Sequence, residues 1–460
     1  MGLFVIGVDI TVLNVAVPSL AAHLRPAPGM MEWILDGYTL TLACGVLAAG
    51  AFADRYGRRR AFAGGLVLFL LASLAGAAAT SAPVVLGSRL VMGAGAAMVM
   101  PATLATISTL FLQPQLRRRA VACWVLVAGL GGLAGPLLGG QLMQHYGWRA
   151  GFWINVPVLA ATLAACRWVP ETREDQAPRV DVRGAALAGA AVLGLVFAII
   201  HGGHHGWGGP AALALAASVA CGTGFTVHAR RTPHALLPSG LWSTGGFGAS
   251  MVVLAGTAFC LFGALLMATF HAQARLGDSP ASAGARLLPL AAGMVLGAGI
   301  AAGVGPRWDE RRVVAGGMLL IAVSYLPIAT AADVCAGRLA LFLVTAGAGA
   351  GMAALPATLT VLACVPAGQA GIGSAVNDAT REIGAALGIA VTAALLTGPY
   401  TTGGIAQQHT ALQQTAAAGG AVALLTAAAA GAGRTRPTSP ARQAIKKETL
   451  ARGGARAPRH

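Results

Sequence analysis

The chain has 460 residues, of which 56% are hydrophobic and only 10% charged, against about 25% charged in ordinary soluble domains. With a positive mean hydropathy, it is built for lipid rather than water. The formal charge of +16 raises nucleic acid as a partner, but the basic residues sit in short loops between apolar stretches, as membrane topology requires.

A helix needs roughly 20 mostly apolar residues to cross a hydrocarbon core about 30 Å thick. In chain order such runs lie near 2–22, 31–53, 61–80, 83–105, 119–142, 150–168, 182–201, 208–229, 246–270, 284–304, 312–331, 338–360, 371–396 and 412–432. They predict an all-α polytopic membrane protein of about fourteen transmembrane helices. The first run lacks the basic leader of a signal peptide and contains Asp9 and Asn14, so it reads as span one. The chain starts almost inside it, which points to a start codon upstream. Seven cysteines are scattered mostly in or beside apolar runs without metal or disulfide spacing, as small apolar fillers.

Orientation follows from the excess of Lys and Arg in short cytoplasmic loops. With the N-terminus inside, the inner loops and tail hold 24 basic residues and the outer loops five, leaving only Arg89 and Arg381 within spans. Both termini are therefore expected in the cytoplasm. The tail after Arg434, with Pro437 and Pro440, reads as disordered and attracted to anionic lipid.

The chain also repeats itself. GAFADRYGRRRAFAGG at Gly50–Gly65 returns as GVGPRWDERRVVAGG at Gly303–Gly317, and PATL at Pro101–Leu104 returns at Pro356–Leu359. Transporters are often built from such repeats, with the substrate site near the bilayer midplane between the halves. Two six-helix bundles over 1–169 and 246–432 are expected, with a two-helix insert over 170–245 and a basic tail over 433–460.

Ionisable residues inside spans are the sharpest functional signal, because each costs about 2.5–3.5 kcal/mol on insertion scales and faces a cavity or a partner. They are Asp9, Arg89, Asp378, Arg381 and Glu382. The last three lie at i, i+3 and i+4, so they share a face and can pair locally; a self-neutralised structural cluster and a coupling site are both compatible with that spacing. In span five, Gly131, Gly135 and Gly139 lie four apart and permit close backbone approach, while Pro136 removes a helix hydrogen bond. Glu32 and Asp36 near the outer end of span two are either a mouth for cations or simply wetted. His201, His204 and His205 beside Trp207 fit an interfacial loop better than a metal site.

Taken in order, VDITVLNVAVPSL, GAFADRYGRRR, GSRLVMGAGAAMVMPATL, GLGGLAGPLLGG, YGWRAGFWINVPV and GSAVNDATREIGAALG resemble the major facilitator superfamily, specifically its fourteen-span drug:proton antiporters of the EmrB/QacA type. The resemblance implies roles. Asp9 takes the acidic position of the span-one motif, with Asn14 after it, and Arg89 matches an arginine implicated in proton coupling. Gly50, Asp54, Arg55, Gly57 and Arg58 fall in the gating loop, where the bland alternative is a topology anchor. The glycines of span five with Pro136 fall in an antiporter signature associated with export, where the alternative is ordinary tight packing.

The expectation is thus a proton-coupled antiporter of the bacterial cytoplasmic membrane. It exports small hydrophobic or cationic compounds, drugs or secondary metabolites, by alternating access, with protons, a small-molecule substrate and the bilayer as partners. No nucleic acid, cofactor or metal is expected, and the chain is expected to be monomeric. Proton entry from outside would neutralise Asp9 and weaken substrate binding. The rivals are an uptake symporter of the same fold and a non-transporting membrane sensor. An enzyme is disfavoured, since no constellation of nucleophile, base and metal occurs and no nucleotide-binding loop is present.

Overall fold

The computed structural model describes residues 1–26, 30–173, 181–232, 235, 241, 246–304, 309–331, 334–365, 369–401 and 404–432. The basic tail over 433–460 lies outside the described residues. The described chain is helical: α1 Gly2–Leu24, α2 Met30–Tyr56, α3 Arg58–Ala77, α4 Ala82–Leu110, α5 Pro114–Tyr146, α6 Ala150–Trp153 and α7 Asn155–Cys166 come first. They are followed by α8 Val182–His205, α9 Gly209–Arg231, α10 Phe247–Phe270 with a π turn over His271–Arg275, α11 Pro280–Ala285, α12 Leu288–Val304, α13 Glu310–Ser324, α14 Leu326–Ala329, α15 Ala336–Cys364, α16 Ala370–Thr401 and α17 Ile405–Ala432. Among the described residues, 11 helices are long and apolar enough to cross a membrane. The sequence suggests about fourteen; α1 and α5 contain residues outside the described set, and α6 and α7 are separated by a turn.

Three expected spans are interrupted, and proline accounts for each break. Pro157, Pro289 and Pro327 have no backbone N–H to return to the carbonyl four residues earlier, and the chain leaves regular helix just before them, between α6 and α7, α11 and α12, and α13 and α14. Pro101 and Pro356 instead sit inside unbroken helices.

In lipid, helices associate through close packing rather than expulsion of water, so small residues mark the interfaces. The internal repeat is visible at this level. A Cβ on Gly65 of α3 would stand 2.7 Å from the carbonyl oxygen of Gly95 in α4, and one on Gly317 of α13 would stand 2.7 Å from that of Gly349 in α15. The same pair of glycines thus brings two helices together in each repeat. Leu71, Leu213, Val219, Leu296 and Leu425 point outward, the arrangement expected of a surface facing hydrocarbon.

One buried apolar cluster centres on the helices before α8, and another on those after α9. The hairpin α8–α9 packs on itself, and α8 lies against both α2 and α16. At the interface of the two regions α2 meets α16, and α5 meets α11 and α12.

Candidate functional site

The site begins with the cost of placing charge in an apolar interior, which is bearable only with a counter-charge and satisfied hydrogen bonds. Asp9 in α1 and Arg89 in α4 are each only 2% exposed, and Arg89 Nη1 donates to Asp9 Oδ2. The other carboxylate oxygen, Oδ1, accepts from Asn155 Nδ2 at 2.9 Å. Arg89 Nε donates to the Ile34 carbonyl at 3.2 Å, and the guanidinium lies 4.5 Å above the ring of Tyr38. Tyr38 meets Phe69 edge-on, and its buried hydroxyl, like Asn155 Oδ1, has no hydrogen-bond partner. Four helices therefore converge on one ion pair. Removing either charge would leave the other buried without its counter-ion, which is costly in an apolar interior.

The spacing of Asp378, Arg381 and Glu382 allows local pairing, but the side chains are not joined in this way. No ion pair joins Arg381 to either acid. Instead the Arg381 guanidinium lies 5.3 Å from the ring centroid of Trp124 on α5, an attractive cation–π placement. Trp124 Nε1 donates to Thr103 Oγ1 of α4 at 2.9 Å, which fixes the ring. Asp378 is fully buried; its Oδ1 accepts from Asn377 Nδ2 at 3.1 Å, while Oδ2 has no hydrogen-bond partner. Asn377 Oδ1 in turn accepts from Thr358 Oγ1 of α15 at 3.1 Å. Arg381 and Glu382 are partly exposed.

A second site lies at the ends of the helices. Asp54 closes α2, and its Oδ1 accepts from Arg58 Nη2 at 2.8 Å. The same carboxylate accepts the backbone N–H groups of Gly371, at 2.8 Å, and Ile372, at 3.1 Å, in the first turn of α16. Free N–H groups and the helix dipole make that terminus an anion site, so one carboxylate ties α2 to α16. Approach this close needs glycine, since a Cβ on Gly50 would stand 2.5 Å from the Gly371 carbonyl oxygen. A parallel tie on the same side joins Arg118 of α5 to the Ala301 carbonyl at 3.2 Å and to Glu310 of α13. We call these contacts the clamp. Gly57 has φ +112°, a conformation suited to glycine, and turns the chain into α3. Glu171 Oε1 then accepts the Arg59 N–H at 3.0 Å. Arg55 stays out of the clamp, with its guanidinium over the ring of Tyr56.

The span-five glycines face α1. A Cβ on Gly131 would stand 2.5 Å from the Phe4 carbonyl oxygen, and one on Gly139 would stand 2.6 Å from Val12 Cγ2; Gly135 is buried. The side chains of Asn14, Glu32, Asp36, Pro136, His204 and His205 lie outside the described set. His201 stacks on Phe197, and no group of three metal-ligating side chains occurs among the described residues. Sequence reasoning missed Asn155, Tyr38, Trp124, Glu171 and the Arg118–Glu310 pair. Of these only Asn155 carried a signal, as an amide inside an apolar motif.

Comparison with known proteins agrees with this architecture. A family model described as the Major Facilitator Superfamily matches residues 1–389. The chain is 32% identical over 400 residues, 86% of it and 74% of the relative, to the tetracenomycin C resistance and export protein of Streptomyces glaucescens. It is 34% identical over 398 residues, 85% of it and 79% of the relative, to the puromycin resistance protein pur8 of Streptomyces alboniger. With the multidrug efflux pump LfrA of Mycolicibacterium smegmatis it shares 32% identity over 402 residues, 86% of this chain and 79% of that one. The crystal structure of the human organic anion transporter MFSD10 superposes with a TM-score of 0.63 at 19% identity, covering 93% of this chain and 97% of that one. The proton:xylose symporter XylE gives 0.63 at 17% identity, covering 93% and 92%. The sequence motifs, the helical architecture with its repeated glycine contacts, and the match over most of its length all place this chain in the major facilitator superfamily of membrane transporters.

Proposed function

We propose that the protein is a proton-coupled antiporter of the EmrB/QacA type that exports small hydrophobic or cationic compounds across a bacterial cytoplasmic membrane. The observation that carries the coupling is the Asp9–Arg89 pair, an ion pair held at 2% exposure with Asn155 as its further ligand. A proton entering from outside neutralises Asp9, frees Arg89 from its counter-ion and weakens substrate binding, so that release outside is exchanged for proton entry. The resistance and export names of relatives that align with most of the chain favour this direction over uptake.

In this reading the chain crosses the bilayer fourteen times with both termini inside, α6–α7, α11–α12 and α13–α14 each serving as one crossing. Two six-helix bundles over 1–169 and 246–432 rock about the central cavity, and the hairpin of 170–245 lies beside them. The molecule works as a monomer, on the proton gradient, without a bound cofactor or nucleic acid. The clamp holds the cytoplasmic side shut.

Inverted membrane vesicles test the direction. Acidifying their lumen should drive accumulation of an exported compound inside, and Asp9→Asn should abolish that accumulation while leaving the protein in the membrane. Loss of compound from the lumen down the same gradient would establish the uptake symporter instead.

A further inference from the structure

Trp124 and Arg381 belong to opposite bundles yet meet at one depth. Each lies about 15 Å along its helix from the clamped end, near the middle of a core about 30 Å thick. The contact is built rather than incidental: Trp124 is 5% exposed, and the bond from its Nε1 to Thr103 turns the ring face toward α16. Its consequence is electrostatic. Arg381 has an acid three residues before it and another one residue after it, but pairs with neither. Asp378 Oδ2 is left buried without a hydrogen-bond partner, and Glu382 makes no hydrogen bond.

The charged groups acting on Arg381 are Asp378 and Glu382 on its own helix. From α5 it faces the neutral Trp124, whose ring is oriented by Thr103 of α4, while Thr358 of α15 bonds to Asn377 on the same helix as Arg381. On α2 the phenol of Tyr38 lies under the Arg89 guanidinium and within electrostatic range of Glu382. With the guanidinium parked on an aromatic face, neither carboxylate has an ion-pair partner, an arrangement that costs free energy in an apolar interior.

We propose that Trp124 is a positioning residue in a charge switch between the bundles. With the clamp shut it holds Arg381 away from Glu382 and Asp378; when the clamp opens, α4 and α5 withdraw, Arg381 swings onto these carboxylates, and they release their protons into the opened cavity. This rests on the transporter reading above. It adds a second proton station, on the opposite bundle from Asp9, and makes an uncharged side chain the element that loads it.

The test reads carboxyl protonation directly, so it does not depend on transport. In purified full-length protein, infrared difference spectroscopy against pH follows the carboxyl bands, and Glu382→Gln identifies the band that belongs to Glu382. Trp124→Leu releases Arg381 permanently, so the Glu382 midpoint should move down by one pH unit or more, a tenfold loss of proton affinity. Trp124→Phe keeps an aromatic face and should stay with the wild type. Thr103→Val, which removes only the acceptor that orients the ring, should fall between them. A Glu382 midpoint unchanged in Trp124→Leu, or in Thr103→Val should the former not fold, overturns the switch. A midpoint shifted in Trp124→Leu, together with wild-type protein that moves no protons with any compound, would uphold the switch and sink the antiporter reading.

Discussion

At the scale of the residue, the decisive quantity is the cost of an uncompensated charge. Replacing one partner of a buried ion pair strands the other, at about 3–5 kcal/mol, whereas replacing both by groups of similar volume is often neutral. Arg89→Met should therefore lower the thermal unfolding temperature and the yield of folded protein in detergent. The double change Asp9→Asn with Arg89→Met should recover most of that loss without restoring transport. Stability that stays low in the double variant would mean that the pair does not carry the energetics assigned to it. Asp9 and Arg89 were legible in the sequence because an ionisable group in an apolar run is conspicuous. Tyr38 was not, since phenols are unremarkable in membrane helices, and the amide of Asn155 stood out within its motif without naming a partner, because its contact to Asp9 spans 146 positions. Periodicity put Arg381 and its two acids on one face correctly, but a one-helix pattern carries no information about Trp124 on another helix, and that ring decides where the guanidinium goes.

At the scale of the element, glycine placement sets which helices touch. Gly131 and Gly132 are neighbours with opposite surroundings. A Cβ on the first would stand 2.5 Å from the Phe4 carbonyl oxygen of α1, and a Cβ on the second meets nothing within 4 Å. Gly131→Ala must push α1 away from α5, at about 1–3 kcal/mol for overpacking, whereas Gly132→Ala should leave the unfolding temperature unchanged or slightly raised. Equal effects of the two would remove the close α1–α5 crossing from the account. The four-residue spacing of these glycines announced a packing face without naming its partner. The helices themselves were readable from apolar length, and the breaks that length did not announce fell at Pro157, Pro289 and Pro327. Their consequences depend on whether tertiary neighbours restrain the bend, since Pro101 and Pro356 leave their helices unbroken.

At the scale of the whole molecule, α2 is tied to α16 and α5 to α12 and α13 by a few charge-assisted hydrogen bonds, each worth about 1.5–3 kcal/mol, and on the proposed reading such a clamp is strong enough to bias the closed form and weak enough to release. Asp54→Asn should shift the population toward the open cytoplasmic side. Hydrogen exchange at the start of α16 reads this directly, because the Gly371 and Ile372 amides donate to Asp54; exchange there should accelerate about tenfold or more while the centre of α4 stays protected. Unaltered exchange would mean that the helix terminus closes without that carboxylate. The repeat in the sequence is echoed in the paired glycine contacts of α3–α4 and α13–α15, but it carried no sign of the tie between Arg118 and Glu310, which depends on how distant helices meet. The central claim, that protons moving through a buried charge network drive export, is tested most directly by counting protons. With wild-type protein in liposomes carrying a pH gradient and an internal pH dye, adding an exported compound should speed the collapse of the gradient, and Asp9→Asn of matched stability should leave the leak rate unchanged. Compound-dependent collapse of equal size in both proteins would contradict the account.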